Sequence, residues 1–293
     1  VGKKVIISTV EHASILSLIP VIESHGLIPV FLPVTANGVI DLDYYQSLLD
    51  DAVALVSVML VNNETGFIFP IKEMARLARE KNIPFHTDAT QAIGKLPFDF
   101  KDLGVAYASW SAHKFGGFAG VGGLLVHENK EVVALLRGGA QEGGKRAGTE
   151  NLMGIASAGF ALKASLQNGD QELVRQQEFR DFFIKKIRQV LPQVMIISSK
   201  QNVPAIMSLA FSDVDGKILA TNLDLEGVAV SYGSACSSGA VNASHVIAVL
   251  GVSEDFGKGT IRISFGKETT LNDMAALIKK IVLVHKRMTQ EVL

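Results

Sequence analysis

The chain has 293 residues, 48% of them hydrophobic, and its 28 Lys+Arg against 29 Asp+Glu leave a formal net charge of −1. Near neutrality without a Lys/Arg block lacks the electrostatic footprint of a nucleic-acid binder or a polybasic membrane anchor, so neither nucleic acid nor a membrane is expected as a partner. The longest apolar stretch, VALVSVMLV at 53–61, is well short of the roughly 18 residues of a membrane span and reads as a buried strand.

The chain opens at Val1, without an initiator methionine, and enters the strand-like KKVIIS at once, so an upstream segment is expected. VGKKVIISTV has neither the regions of a signal peptide nor a lipidation motif, which makes the cytoplasm the expected compartment. Short β-branched runs then alternate with amphipathic stretches. Strands are predicted over 4–8, 29–34, 54–61, 84–88, 107–111 and 123–127, with helices over 13–24, 43–49 and 71–81 between them. This alternation makes an α/β fold with a mostly parallel sheet. From about Gln171 the texture changes to a long charged helix, then strands over 194–198 and 207–212 and a helix over 216–223. Strands over 228–231 and 260–265 and a closing helix over 271–288 follow. The expected division is a large domain at 1–168 and a smaller α+β domain at 169–293, in keeping with about 150 residues per domain.

Polar residues collect where apolar strands end. In SWSAHKFGGFAGVGG (109–123), Ser111, His113 and Lys114 close a strand and meet a glycine-rich loop. Ligands of open α/β sheets bind beyond the carboxyl ends of strands, so Lys114 is a candidate nucleophile; the alternative is an ordinary surface lysine. PFHTDATQAIGKLP (84–97) puts Asp88 and Gln91 at another strand end. Asp88 either caps the turn that follows or pairs with a cation such as a pyridinium nitrogen. Together, Lys114 and Asp88 supply the two protein groups that pyridoxal phosphate most requires, a Schiff-base amine and an anion opposite the ring nitrogen. LVNNETG (60–66) is either a turn or a polar site, and His12 in STVEHASIL either a helix-terminal polar residue or a site member.

The single cysteine, Cys236, lies in VSYGSACSSGAVNASH (230–245), a run of small residues with the composition of an exposed loop. With no second cysteine there is no intramolecular disulfide and no Cys-based zinc cage, and a reactive thiol in a reducing compartment is the expected reading over an incidental one. Arg262 interrupts the apolar strand GTIRISFG, where a buried guanidinium must meet an anion, either a substrate carboxylate or an internal acid. GGAQEGGKRAGTENLMG (138–154) is a glycine-rich basic loop entering a helix, where Thr149 is either a phosphate contact or an ordinary N-cap.

TVEHASIL, VNNETG, HTDATQAIGK, SAHKFGG, RAGTEN, GSACSS and GTIRISFG occur together and in order, and in this the chain resembles the cysteine desulfurases of the class V aminotransferase family, the iron-sulfur and nitrogenase-assembly type. The resemblance runs nearly end to end but begins after that family's first segment, about its first quarter, with its phosphate-cup motif. It implies a fold-type I pyridoxal 5'-phosphate enzyme, a homodimer whose large domain has seven strands and whose sites lie at the subunit interface. By the same resemblance Lys114 holds the cofactor, Asp88 faces its ring nitrogen, His12 stacks on the ring and Gln91 meets its phenolic oxygen. Asn63 lies near ring and substrate, Ser111 and His113 bind the phosphate, and Thr149 reaches it from the neighbouring subunit. Arg262 clamps the substrate carboxylate. The implied reaction takes L-cysteine to L-alanine with a persulfide on Cys236, its thiol assisted by His12 or the substrate amine. The persulfide is then delivered to a sulfur-acceptor protein for iron-sulfur clusters or tRNA thiolation. The family's usual Gly-Pro after the lysine is here Gly116-Gly117, Ala205 and Ser208 stand where asparagines are common, and residues 241–243 read Val-Asn-Ala in place of a frequent Leu-Glu-Pro. A selenocysteine lyase or aminotransferase on the same cofactor, and a non-catalytic scaffold, are the alternatives.

Overall fold

A computed structural model describes residues 3–167, 169–198, 201–233 and 244–290. The first half runs β1 (Lys4–Ser8), α1 (Ala13–Leu16), α2 (Ile19–Ser24), β2 (Ile28–Leu32), α3 (Leu42–Leu48), β3 (Val53–Ser57), α4 (Ile71–Glu80) and β4 (Phe85–Asp88). It continues with α5 (Phe100–Leu103), β5 (Tyr107–Ser111), β6 (Gly122–Val126) and α6 (Leu152–Gln167). The second half runs α7 (Gly169–Val190), β7 (Met195–Ile197), β8 (Ile206–Ala210), α8 (Gly216–Leu225) and β9 (Ser231–Tyr232). It closes with α9 (His245–Val249), α10 (Glu254–Lys258), β10 (Thr260–Ser264) and α11 (Leu271–Gln290).

The N-terminal strands form a six-stranded sheet in the order β2-β1-β3-β4-β5-β6, one strand fewer among the described residues than the resemblance implies. Strands β1 to β5 pair in parallel and β6 closes the edge antiparallel to β5. The second sheet, β7-β8-β10-β9, is four-stranded and antiparallel. The first sheet is the mostly parallel one that the alternating pattern called for. The core is continuous from Ile6, Val56 and Phe85 in the first sheet to Leu209, Ile261 and Phe183 around the second.

One predicted helix is corrected. The stretch at 13–24 divides into α1 and α2, with Leu18 as the N-cap of α2 and Pro20 in its first turn. Proline has no N–H to donate to the preceding turn and is tolerated only at a helix start, so the chain restarts there. The apolar run predicted as strand to Val61 leaves strand geometry at Ser57, although Val58 and Leu60 still donate backbone N–H to the carbonyls of His86 and Asp88, at 3.1 and 2.9 Å. The strand predicted over 228–231 lies slightly later, at Ser231–Tyr232. The short helices α5, α9 and α10 carry too few turns to show a period in sequence.

Candidate active site at the carboxyl edge of the parallel sheet

Because β1, β3, β4 and β5 are parallel, the residues that follow them meet on one edge of the sheet. Asp88 is the last residue of β4 and is buried. Its Oδ1 accepts the Thr90 N–H at 2.9 Å, which makes the capping turn, while Oδ2 makes no hydrogen bond among the described residues. One oxygen builds the turn, which is the capping reading, and that bond leaves room for a cation at the other. Neighbouring β5 aligns Ser109 with Asp88 and ends at Ser111, and a 3₁₀ turn, Ala112–Phe115, sets His113 and Lys114 just beyond it. Lys114 is exposed. The turn behind it demands glycine: Gly116 has φ +98°, and a β-carbon on Gly117 would lie 2.8 Å from that of Ala112. The Ser111 hydroxyl and His113 Nδ1 are 2.8 Å apart.

Beyond β1, Glu11 is 0% exposed. Its Oε1 accepts the Ser8 hydroxyl at 2.5 Å and the Met59 N–H at 2.7 Å, and its Oε2 is buried without a partner among the described residues. Burial, reinforced by the charge of Asp88, outweighs those hydrogen bonds and pushes the carboxyl up to about 8. His12 caps α1, its Nδ1 lying 3.2 Å from the Ser14 N–H and 2.9 Å from the Ser14 hydroxyl. A backbone N–H can only donate, so Nδ1 is an acceptor and the neutral ring carries its proton on Nε2.

Beyond β3, the NNETG segment is a turn. Asn62 builds the turn, accepting the N–H groups of Glu64 at 3.0 Å and Thr65 at 2.9 Å and donating to the Val10 carbonyl at 2.9 Å. The side-chain oxygen of Asn63 is buried without a partner among the described residues, and its carbonyl accepts Arg262 Nη1 at 2.9 Å. Arg262 thereby arrives at the same edge from β10. Its Nη2 donates to the Ser231 hydroxyl at 3.1 Å, and its Nε is buried without a partner among the described residues. Arg262 forms no ion pair among the described residues, although Glu64 is near enough for its charge to be felt. Glu64 is itself buried and held above the ordinary carboxylate range by burial, against the opposing pull of the Ser244 hydroxyl and the charges of His245, Arg262 and His12. His245 Nε2 donates to the Glu11 carbonyl at 3.0 Å.

The structure thus brings Asp88, Gln91, Ser111, His113, Lys114, His12, Asn63 and Arg262 to one edge. Thr149 is exposed, and its carbonyl accepts Arg146 Nη1 at 3.4 Å. It is not the N-cap of α6 either, since the side chain of Asn151 takes the Gly154 N–H at 3.0 Å. Cys236 lies outside the described residues. Sequence reasoning passed over Glu11, Glu64 and Lys95, and also His86, whose ring bridges the hydroxyls of Ser57 at 2.8 Å and Ser109 at 3.2 Å. Burial holds His86 below the ordinary imidazole range. Their only signal was adjacency to residues already singled out.

This donor set fits pyridoxal phosphate. An accessible amine suits an aldehyde, a carboxylate with one uncommitted oxygen suits a ring nitrogen, and the hydroxyl and imidazole pair suits a phosphate. The buried, unpartnered Asn63 Oδ1 and Arg262 Nε are the polar atoms that a polar ligand at this edge would satisfy.

Comparison with known proteins agrees. The model of the family described as aminotransferase class-V matches residues 1–277. The chain is 39% identical over 274 residues to cysteine desulfurase IscS of Dictyoglomus turgidum, covering 93% of this chain and 70% of that protein. It is 40% identical over 280 residues to cysteine desulfurase NifS of Azotobacter vinelandii, covering 95% and 70%. Among solved structures, a NifS-like protein superposes with a TM-score of 0.90 at 30% identity, covering 98% of this chain and 76% of its own.

Proposed function

The chain belongs to the class V aminotransferase family and within it to the cysteine desulfurases, and from that premise we propose that it converts L-cysteine to L-alanine and receives the sulfur on Cys236 as a persulfide. Pyridoxal 5'-phosphate, when bound, supplies an electron sink for the bonds at the substrate Cα. Lys114 Nζ would be the amine that holds the aldehyde of the cofactor, and the base that moves the proton at the substrate Cα. Asp88 Oδ2 would hold the proton at the ring nitrogen. Gln91 would meet the ring oxygen, Ser111 and His113 would hold the phosphate, and His12 would cover the ring. Asn63 lies beside ring and substrate. Arg262 binds the substrate carboxylate through the donors its two internal hydrogen bonds leave over.

An unperturbed thiol, with pKa about 8.5, is only slightly ionised near neutrality, so Cys236 needs a base. The Ser14 contacts commit His12 Nδ1 as an acceptor, which leaves the substrate amine to draw the thiol proton. The thiolate sulfur then bonds to the substrate sulfur, the S–Cβ bond breaks with its electron pair going to Cβ, and Cβ takes a proton to become the methyl group of alanine.

Residues 1–168 serve as the cofactor domain and 169–293 as the smaller one. A second copy covers the exposed apolar residues Phe118, Val133, Leu135, Met153 and Phe160, of which Leu135 is 94% exposed. Thr149 completes the phosphate site of that copy. No helix among the described residues is long and apolar enough to cross a membrane, and the cytoplasm is the proposed compartment. The sulfur passes to an acceptor protein serving iron-sulfur assembly or tRNA thiolation.

The observation that carries this reading is the placement of Asp88 and Lys114 at the ends of adjoining strands on one sheet edge. Titration with pyridoxal phosphate tests it: a yellow absorbance should develop, vanish in Lys114→Ala and persist in Cys236→Ser, while sulfide release from cysteine is lost in both. Full turnover by Cys236→Ser would reject the assigned thiol.

A further inference from the structure

A second lysine stands in this cluster without an assigned role. Lys95 lies four residues after Gln91 and donates through Nζ to the Gln91 side-chain oxygen at 2.8 Å. Gln91 is only 9% exposed. The segment reaches this place because Gly94, at φ +78°, has no β-carbon; one there would sit 2.5 Å from the β-carbon of Phe115, the residue after Lys114. Lys95 has no ion-pair partner among the described residues, and burial, with the charges of Lys114 and Arg262, pushes its ammonium down to about 8. An ammonium that is largely desolvated and beside two further cations is costly, and it is expected where an anionic ligand is to be met.

The bond to Gln91 has a second consequence. An ammonium has donors only, so it fixes which end of the amide faces it: the oxygen turns to Lys95, and the NH₂ group turns away. That NH₂ group makes no hydrogen bond among the described residues. We propose that Lys95 is a positioning residue of the cofactor site, holding the Gln91 amide with its N–H donors aimed at the ring oxygen of the cofactor. This rests on the assignment of Gln91 given under Proposed function. The ammonium also adds positive charge beside that oxygen. Loss of the cation and misorientation of the donor both disfavour the ring oxyanion, so they act in the same direction.

The experiment follows the bound cofactor by absorbance, apart from turnover. In Lys95→Met the pH midpoint of the cofactor's colour change should rise by about one unit and the cofactor Kd by about tenfold, while Lys95→Arg, which keeps the donor and the charge, restores the midpoint. Gln91→Ala should raise the midpoint too, and the double variant should shift less than the sum of the two. An unmoved midpoint in folded, cofactor-loaded Lys95→Met, or strictly additive shifts, would overturn the proposal. Should Lys95→Met not fold, Lys95→Gln takes its place under the same criteria. Failure of the underlying site assignment looks different: wild-type protein would then give no colour, or the colour would survive Lys114→Ala.

Discussion

Glu11 makes the sharpest test of the physical argument. Its carboxyl is fully buried and raised from 4.5 to about 8, chiefly by burial. A group that holds its proton more tightly when folded contributes stability that is complete below pH 4.5 and lost as pH rises toward about 8. The slope is about 1.4 kcal/mol per pH unit, so roughly 3 kcal/mol has gone by pH 7. Glu11→Gln removes the titration. Its amide oxygen can still accept from Ser8 and Met59, but its NH₂ occupies the place of the unpartnered Oε2, a pH-independent cost of about 1–3 kcal/mol. The variant is therefore expected to be less stable than wild type at pH 5 and more stable at pH 8, the two curves crossing at about pH 6. Urea midpoints measured by circular dichroism across that range provide the comparison, and background titrations common to both proteins cancel in the difference. Parallel curves would refute the claim that burial controls this carboxyl.

Arg262→Gln should raise the KM for cysteine at least about tenfold, since the charge-assisted pair with the substrate carboxylate is lost; a normal KM would remove Arg262 from substrate binding. Ser208→Ala deletes a buried hydroxyl that donates to the Glu64 carbonyl at 2.7 Å, and should cost about 1–2 kcal/mol in denaturant titration. Gly94→Ala forces a β-carbon into a left-handed residue and against Phe115; the expected loss is about 1–3 kcal/mol, read as a lowered Tm, and an unchanged Tm would show that the turn can relax freely.

Much of this was legible in the residues because strand ends in a parallel sheet are forced together. The strands at 4–8 and 107–111 coincide with β1 and β5, and once their neighbours are parallel, His12, Asn63, Asp88 and Lys114 can only meet. The division of the helix at 13–24 was also written in the sequence, in Pro20. Other features lay beyond pattern. Whether Asp88 capped a turn or faced a ligand depended on each oxygen separately, and only coordinates assign Oδ1 to Thr90. Glu11 and Glu64 look like surface acids beside a helix start and a turn; their burial comes from Met59, Ser244 and His245, far away in the chain. The partnership of Lys95 with Gln91 spans four residues, but it matters only because Lys114 and Arg262 stand behind it.

The turn after β3 is stitched to the second sheet at consecutive carbonyls, that of Asn63 by Arg262 and that of Glu64 by Ser208. Those two threads tie the antiparallel sheet to this corner of the parallel one. Anything that draws on the guanidinium of Arg262 therefore competes with, or is shared with, the carbonyl that pins this turn.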